Sequence, residues 1–131
     1  MPFTSADRDD IFNKIKSILK KYAPPMQVSK DKPGVVFELM GNKPVPYGST
    51  KKIVPGMYFC SVVARNSMIS FYFFPIYYHT DDFIDLIPTM SKTLKGKTCF
   101  NIKRSDQVNK KELNALLKKG VEAWKKSGYM K

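Results

Sequence analysis

Histidine occurs once in 131 residues, at His79, and cysteine twice, at Cys60 and Cys99. A lone histidine excludes a histidine-based metal cluster or a two-histidine mechanism within one chain. Two cysteines, each inside an apolar run, favour reduced thiols serving as small hydrophobes over a disulfide framework. Long apolar runs are missing too: no stretch approaches the roughly 20 residues of a membrane-spanning helix. The opening MPFTSADRDD has no basic start followed by an apolar run, so no secretory signal is expected. Acid is scarce, with 11 Asp and Glu against 23 Lys and Arg, for a net charge of +12. The excess is concentrated late, where residues 90–131 hold 12 basic and 3 acidic side chains. Such a field attracts polyanions or simply keeps a protein dissolved. Arginine, which forks onto phosphates and base edges, occurs 3 times against 20 lysines, so the attraction is diffuse and not a specific readout.

What is present is core material. Hydrophobic residues make up 43% and aromatics 13%, far from the signature of disorder. A chain of this length buries roughly two thirds of its unfolded surface and needs no metal or disulfide staple. Thr4 and Ser5 offer N-caps for a helix in which Ile11, Phe12, Ile15, Ile18, Leu19 and Tyr22 form one stripe, ended by Pro24-Pro25. Residues 26–55 are rich in Pro, Gly, Lys and Ser, and read as loops flanking a single strand at Val35, Val36, Phe37 and Leu39.

Two β-prone runs follow, Met57 to Ala64 and Met68 to Phe74, with Asn66-Ser67 as the two-residue turn of a hairpin. That register pairs Ala64 with Ile69, Val62 with Phe71 and Cys60 with Phe73 on one apolar core face. Phe59, Ser61, Val63, Arg65, Met68, Ser70, Tyr72 and Phe74 fall on the other face, a mixture of aromatic and polar groups. Thr80 caps a helix with Asp81 and Asp82 in its first turn and Phe83, Ile84 and Ile87 inward, broken at Pro88 with a further turn through Met90 and Leu94. Residues 98–102 form the last strand. A long C-terminal helix carries Leu113, Leu116, Leu117, Gly120, Val121 and Trp124 on one side. The expected fold is one α+β domain over residues 1–131. An antiparallel sheet of about four to five strands with a central hairpin is packed by an N-terminal helix, a broken middle helix and a long C-terminal helix.

Four features offer chemistry. Lys95-Gly96-Lys97-Thr98 matches the end of a phosphate-binding loop, but the glycine required five positions before Gly96 is Ser91, and the segment precedes a strand instead of opening a helix. A cysteine–histidine pair would need Cys60 or Cys99 beside His79, and burial of Cys60 on the apolar face leaves its thiol inert. Asp7, Asp9 and Asp10 offer oxygen ligands to a hard cation, as do Asp81, Asp82 and Asp85, although acids in a first helical turn are expected on dipole grounds alone. Lys111, Lys118, Lys119, Lys125 and Lys126 lie opposite the apolar stripe of the last helix, with no acid expected among them, as a surface for phosphates. The aromatics Phe59, Tyr72, Phe74, Tyr77 and Tyr78 stack bases, line a pocket or pack. No set of residues forms a catalytic constellation.

Ile69-Ser70-Phe71 through Pro75, Tyr77-Tyr78-His79 before a helix, and Leu94-Lys95-Gly96-Lys97-Thr98-Cys99-Phe100-Asn101 before the closing helix resemble the YdhG-like family of small bacterial domains of unknown function. The likeness runs in order over residues 8–128. It implies a curved antiparallel sheet packed by helices and a cytoplasmic bacterial setting, and carries over no catalytic residue. A frataxin-like iron-handling role attached to part of this family relies on an acidic ridge. This basic chain departs from it, with Asp7, Asp9 and Asp10 as the only remnant and iron as the only cofactor implied.

The expected function is a binding or accessory domain, more readily non-enzymatic than enzymatic. Its ligand or partner surface is Phe59, Ser61, Arg65, Tyr72, Phe74 and Tyr78, bordering a pocket or a homodimer contact. The alternatives are the iron carrier and a weak, sequence-independent nucleic-acid binder acting through the five lysines, with no membrane partner.

Overall fold

The computed structural model describes residues 4–23, 25–47, 52–78 and 80–130, with only the backbone of Tyr47 and Tyr78. Helix α1 (Ser5–Leu19) starts at Thr4 with a reciprocal cap. The Asp7 amide donates to Thr4 Oγ1 at 3.1 Å and the Thr4 amide to Asp7 Oδ2 at 3.0 Å, satisfying two otherwise unpaired donors. Ile11, Phe12, Ile15, Ile18 and Leu19 are buried, as their spacing requires. A 3-10 turn at Lys20–Tyr22 follows.

The segment read as loops around one strand contains four strands: β1 (Gln27–Lys32), β2 (Val36–Met40), β3 (Val45–Tyr47) and β4 (Lys52–Val54). β1 is exposed along its whole length, so it carries no apolar alternation, and it forms because the outer backbone edge of β2 offers it hydrogen bonds. Strands β5 (Tyr58–Ala64) and β6 (Ile69–Phe73) make the expected hairpin, with the pairs Ala64–Ile69, Val62–Phe71 and Cys60–Phe73 as read. The turn closes through the Arg65 amide donating to the Met68 carbonyl at 2.9 Å.

After β6 come α2 (Pro75–Tyr78), α3 (Thr80–Ile84), a 3-10 turn at Met90–Thr93, β7 (Leu94–Lys95), β8 (Cys99–Ile102) and α4 (Lys110–Lys126). Thr80 does not cap a helix. It is the first residue of α3, and its hydroxyl donates to the Ile76 carbonyl at 2.8 Å, tying α3 back to α2. The main sheet is antiparallel, six strands in the order β1-β2-β5-β6-β8-β7, and β3 and β4 pair as a separate hairpin.

One face of the sheet, with Phe37, Leu39, Cys60, Val62, Ile69, Phe71, Phe73, Phe100 and Ile102, is buried. Helices α1, α3 and α4 pack on it: Gly120 of α4 lies against the Phe59 and Phe73 rings, and Phe83 of α3 meets Phe73 edge-on at 5.3 Å. Trp124 is fully buried, with edge contacts to Phe59 and Phe74.

Phe59 corrects the alternation. Opposite β5, Leu39 pairs with Cys60 but Met40 pairs with Tyr58, so Phe59 is the extra residue of a β-bulge. The bulge turns Phe59 onto the core face, where it is fully buried between Phe73 and Trp124, and places Tyr58 on the opposite face. Phe59 is therefore not part of the mixed surface. No described helix is long and apolar enough to cross a membrane.

Candidate functional site

Helices cover one side of the sheet, so the other side is where hairpin chemistry meets solvent. Cross-strand pairing lays one row over that face: Lys30, Glu38, Ser61, Tyr72, Cys99 and Lys95. A second row is Val36, Val63, Ser70 and Asn101. Ser61 and Ser70, at its middle, are only 4% and 3% exposed. Strands prefer β-branched and aromatic residues, so two serines set diagonally across the central hairpin stand out among bulkier neighbours.

The polar groups of this face are ordered. Tyr58 Oη and Ser61 Oγ lie 2.6 Å apart, Arg65 Nη2 donates to Tyr72 Oη at 2.8 Å, and Ser29 Oγ donates to Glu38 Oε2 at 2.8 Å. The Cys99 thiol donates to Asn101 Oδ1 at 3.4 Å. Burial pushes the Tyr58 hydroxyl well above the ordinary tyrosine range. The Ser61 hydrogen bond offsets part of that rise, and Cys60, Glu38 and Tyr72 add to it. Tyr58 thus stays neutral. Among the described residues, neither Ser61 nor Ser70 is hydrogen-bonded to a carboxylate.

Ser61, Arg65 and Tyr72 are brought together as expected. Phe74 is half-buried at the end of β6, between Tyr58 at 5.9 Å and a stacked Tyr77 at 6.0 Å. The Tyr78 side chain and His79 lie outside the described residues. Glu38 and Tyr58 were missed. The even spacing of Val36, Glu38 and Met40 put Glu38 on this face, whereas Tyr58 reaches it only through the bulge.

Elsewhere the expected sites change character. Lys111, Lys118, Lys125 and Lys126 are exposed and Lys119 half-buried, but the face is not of one sign. Glu122, exposed and four residues from both Lys118 and Lys126, sits in their midst, which counting along the helix would have revealed. A cavity of about 260 Å³ opens at this place, lined by Asp82, Phe83, Lys119, Glu122, Ala123, Lys126 and Ser127, and not at the hairpin's mixed face.

Asp7 is committed to the α1 cap, whose two hydrogen bonds hold its carboxyl below the usual range. Asp9 and Asp10 are exposed, and among the described residues no three His, Cys, Asp or Glu side chains cluster to hold a metal. Cys60 is buried in the core, its thiol raised well above the ordinary range by that burial, while Cys99 belongs to the opposite face. The two thiols therefore cannot meet through the sheet. Gly96, at φ +69°, turns β7 into β8, so the phosphate-loop lookalike is a hairpin turn.

One buried acid had no sequence signal. Glu112, 9% exposed on α4, accepts the Thr89 amide at 3.0 Å and the Met90 amide at 2.9 Å, clasping the start of the 3-10 turn at Met90–Thr93. Comparison of the chain with protein-family models, curated proteins and solved structures finds no match.

Proposed function

We propose that the chain is a non-enzymatic binding domain that takes a small polar ligand or a partner segment on the open face of its sheet. The observation that supports this is the pair of serines, 4% and 3% exposed, flooring a face walled by Tyr58, Tyr72 and Val63, with Arg65 and Glu38 as charged ends. A partly apolar surface with a few polar groups held in fixed positions suits a ligand or partner segment. Hydroxyls held at 2.6 Å and 2.8 Å also enter binding already oriented, which lowers the ordering cost. The likeness to YdhG-like domains and a cytoplasmic setting belong to the same reading.

A thermal-shift screen with nucleotides, metals and small polar metabolites tests it, since a ligand that binds only the folded state raises apparent stability. A hit should lose its effect on Tyr72→Ala and Ser61→Val while both variants remain folded. Hits that stabilise both variants as much as the parent would refute the assignment to this face.

A further inference from the structure

Between Asp85 and Asp106 the chain carries Lys92, Lys95, Lys97, Lys103 and Arg104 and no acid. Lys92, Lys95 and Lys97 are exposed around the short β7–β8 hairpin, and among the described residues no carboxylate pairs with them. This differs from α4, where Glu122 breaks up the lysines. The place where an added side chain would stand at Gly96 has no atom within 4 Å, so the turn faces open space.

Beside this turn is one of the few large apolar side chains left in solvent. Tyr77 is 48% exposed, its ring stacked on Phe74 at 6.0 Å and 20°, and the Lys97 ammonium lies 5.0 Å from its centroid. Phe74 in turn touches Tyr58 and Trp124, which anchors the outermost ring to the core. An exposed aromatic braced from behind, next to unpaired cations, is the pairing of stacking platform and electrostatic groove used on single strands.

We propose that Tyr77 with Lys95 and Lys97 is a binding site for single-stranded nucleic acid. One base stacks on Tyr77, whose π-face Lys97 now occupies, and Lys97 swings on its flexible stem to the adjoining phosphate while Lys95 meets the next. A duplex, with its bases enclosed, presents no face to the ring. An acidic peptide supplies the charge without the stack. The inference goes beyond the reading of the open face: Lys95 ends one of its rows, but Tyr77 and Lys97 lie on neither.

Fluorescence anisotropy of a labelled oligothymidylate of about 12 nucleotides, between about 50 and 200 mM salt, reads the site. Tyr77→Ala should weaken binding about 5- to 100-fold, the range for losing one base stack, and Tyr77→Phe should restore it. Lys95→Ala with Lys97→Ala should lower the slope of log affinity against log salt by about 1.4, at about 0.7 for each single-strand phosphate contact. Lys118→Ala with Lys125→Ala should leave that slope nearly unchanged, and circular dichroism should show every variant folded. Undetectable binding at the lower salt overturns the inference, as does equal affinity for Tyr77→Ala. Competition by polyglutamate as effective as that by the oligonucleotide reassigns the site to acidic protein. A loss on Tyr72→Ala as large as on Tyr77→Ala moves the strand to the open face and also overturns it.

Discussion

Gly120 sits inside α4, where alanine ordinarily improves helix stability by about 1 kcal/mol. At this position the geometry reverses the sign. A Cβ built there would stand 2.6 Å from Phe73 Cζ and 2.9 Å from both Phe59 Cε1 and Cζ, closer than carbon atoms approach. Those atoms are ring tips, which in a loose setting would simply move. Both rings are fully buried, however, with Phe59 against Trp124 and Phe73 against Phe71 and Phe83, so retreat shifts other packed rings. Overpacking of that kind costs about 1 to 3 kcal/mol. Against the propensity gain, Gly120→Ala should lower stability by about 0 to 2 kcal/mol. Urea titration would read this as a lower midpoint at constant m-value. In a Phe73→Leu background the nearest ring tip is gone, and the alanine should become less costly by about 1 kcal/mol, a coupling expected for residues in contact. If Gly120→Ala instead stabilises the parent by the full helix-propensity gain, α4 is not seated on these rings and the core is wrongly described.

Glu112→Ala should cost about 3 kcal/mol, since it strips a carboxylate from two backbone amides in a largely buried place, and Glu112→Gln, which keeps an acceptor, about half as much; a loss under about 0.5 kcal/mol in urea would mean the clasp is not formed. Trp124→Ala should cost about 3 to 5 kcal/mol, the range for deleting a buried aromatic, and under about 1 kcal/mol would make α4 peripheral. The raised Tyr58 hydroxyl favours folding fully below its unfolded value of about 10, and that contribution disappears as pH rises above it, so alkaline titration should show Tyr58 ionising after Tyr22, whose hydroxyl burial also raises, with stability falling as it does. Tyr58→Phe should abolish the latest step and leave that of Tyr22, and persistence of the latest step would contradict the assignment. The lowered Asp7 carboxyl works in the opposite direction: its contribution is present above the ordinary aspartate range and is lost as pH falls through the folded value, so the protection of first-turn α1 amides, taken relative to their intrinsic exchange rates, should fall in acid, and unchanged protection would refute the cap.

Several elements were legible because their information is local. The stripe from Ile11 to Leu19, the cap at Thr4, the register of β5 with β6 and the buried side of α4 each follow from spacing within one segment. The open face was legible as a parity, which is why Ser61, Arg65 and Tyr72 were placed together. Glu122 was equally readable and was overlooked.

The remainder depended on segments distant in sequence. Gln27–Lys32 becomes a strand because β2 presents a free edge, a property of the neighbour and not of its own charged residues. The carboxylate of Glu112 finds its amides 22 and 23 residues away, where two elements converge only after the sheet has placed them. Most consequential is the bulge at Phe59. Strand alternation assigns every residue from 57 to 64 by parity, and a single extra residue opposite β2 inverts it for two aromatics, burying Phe59 and giving Tyr58 to the open face. Sequence determined which residues prefer to be strands and which faces are apolar. The packed sheet alone decided where one strand slips by a residue, because that choice is made by Phe73 and Trp124 filling the space beneath it.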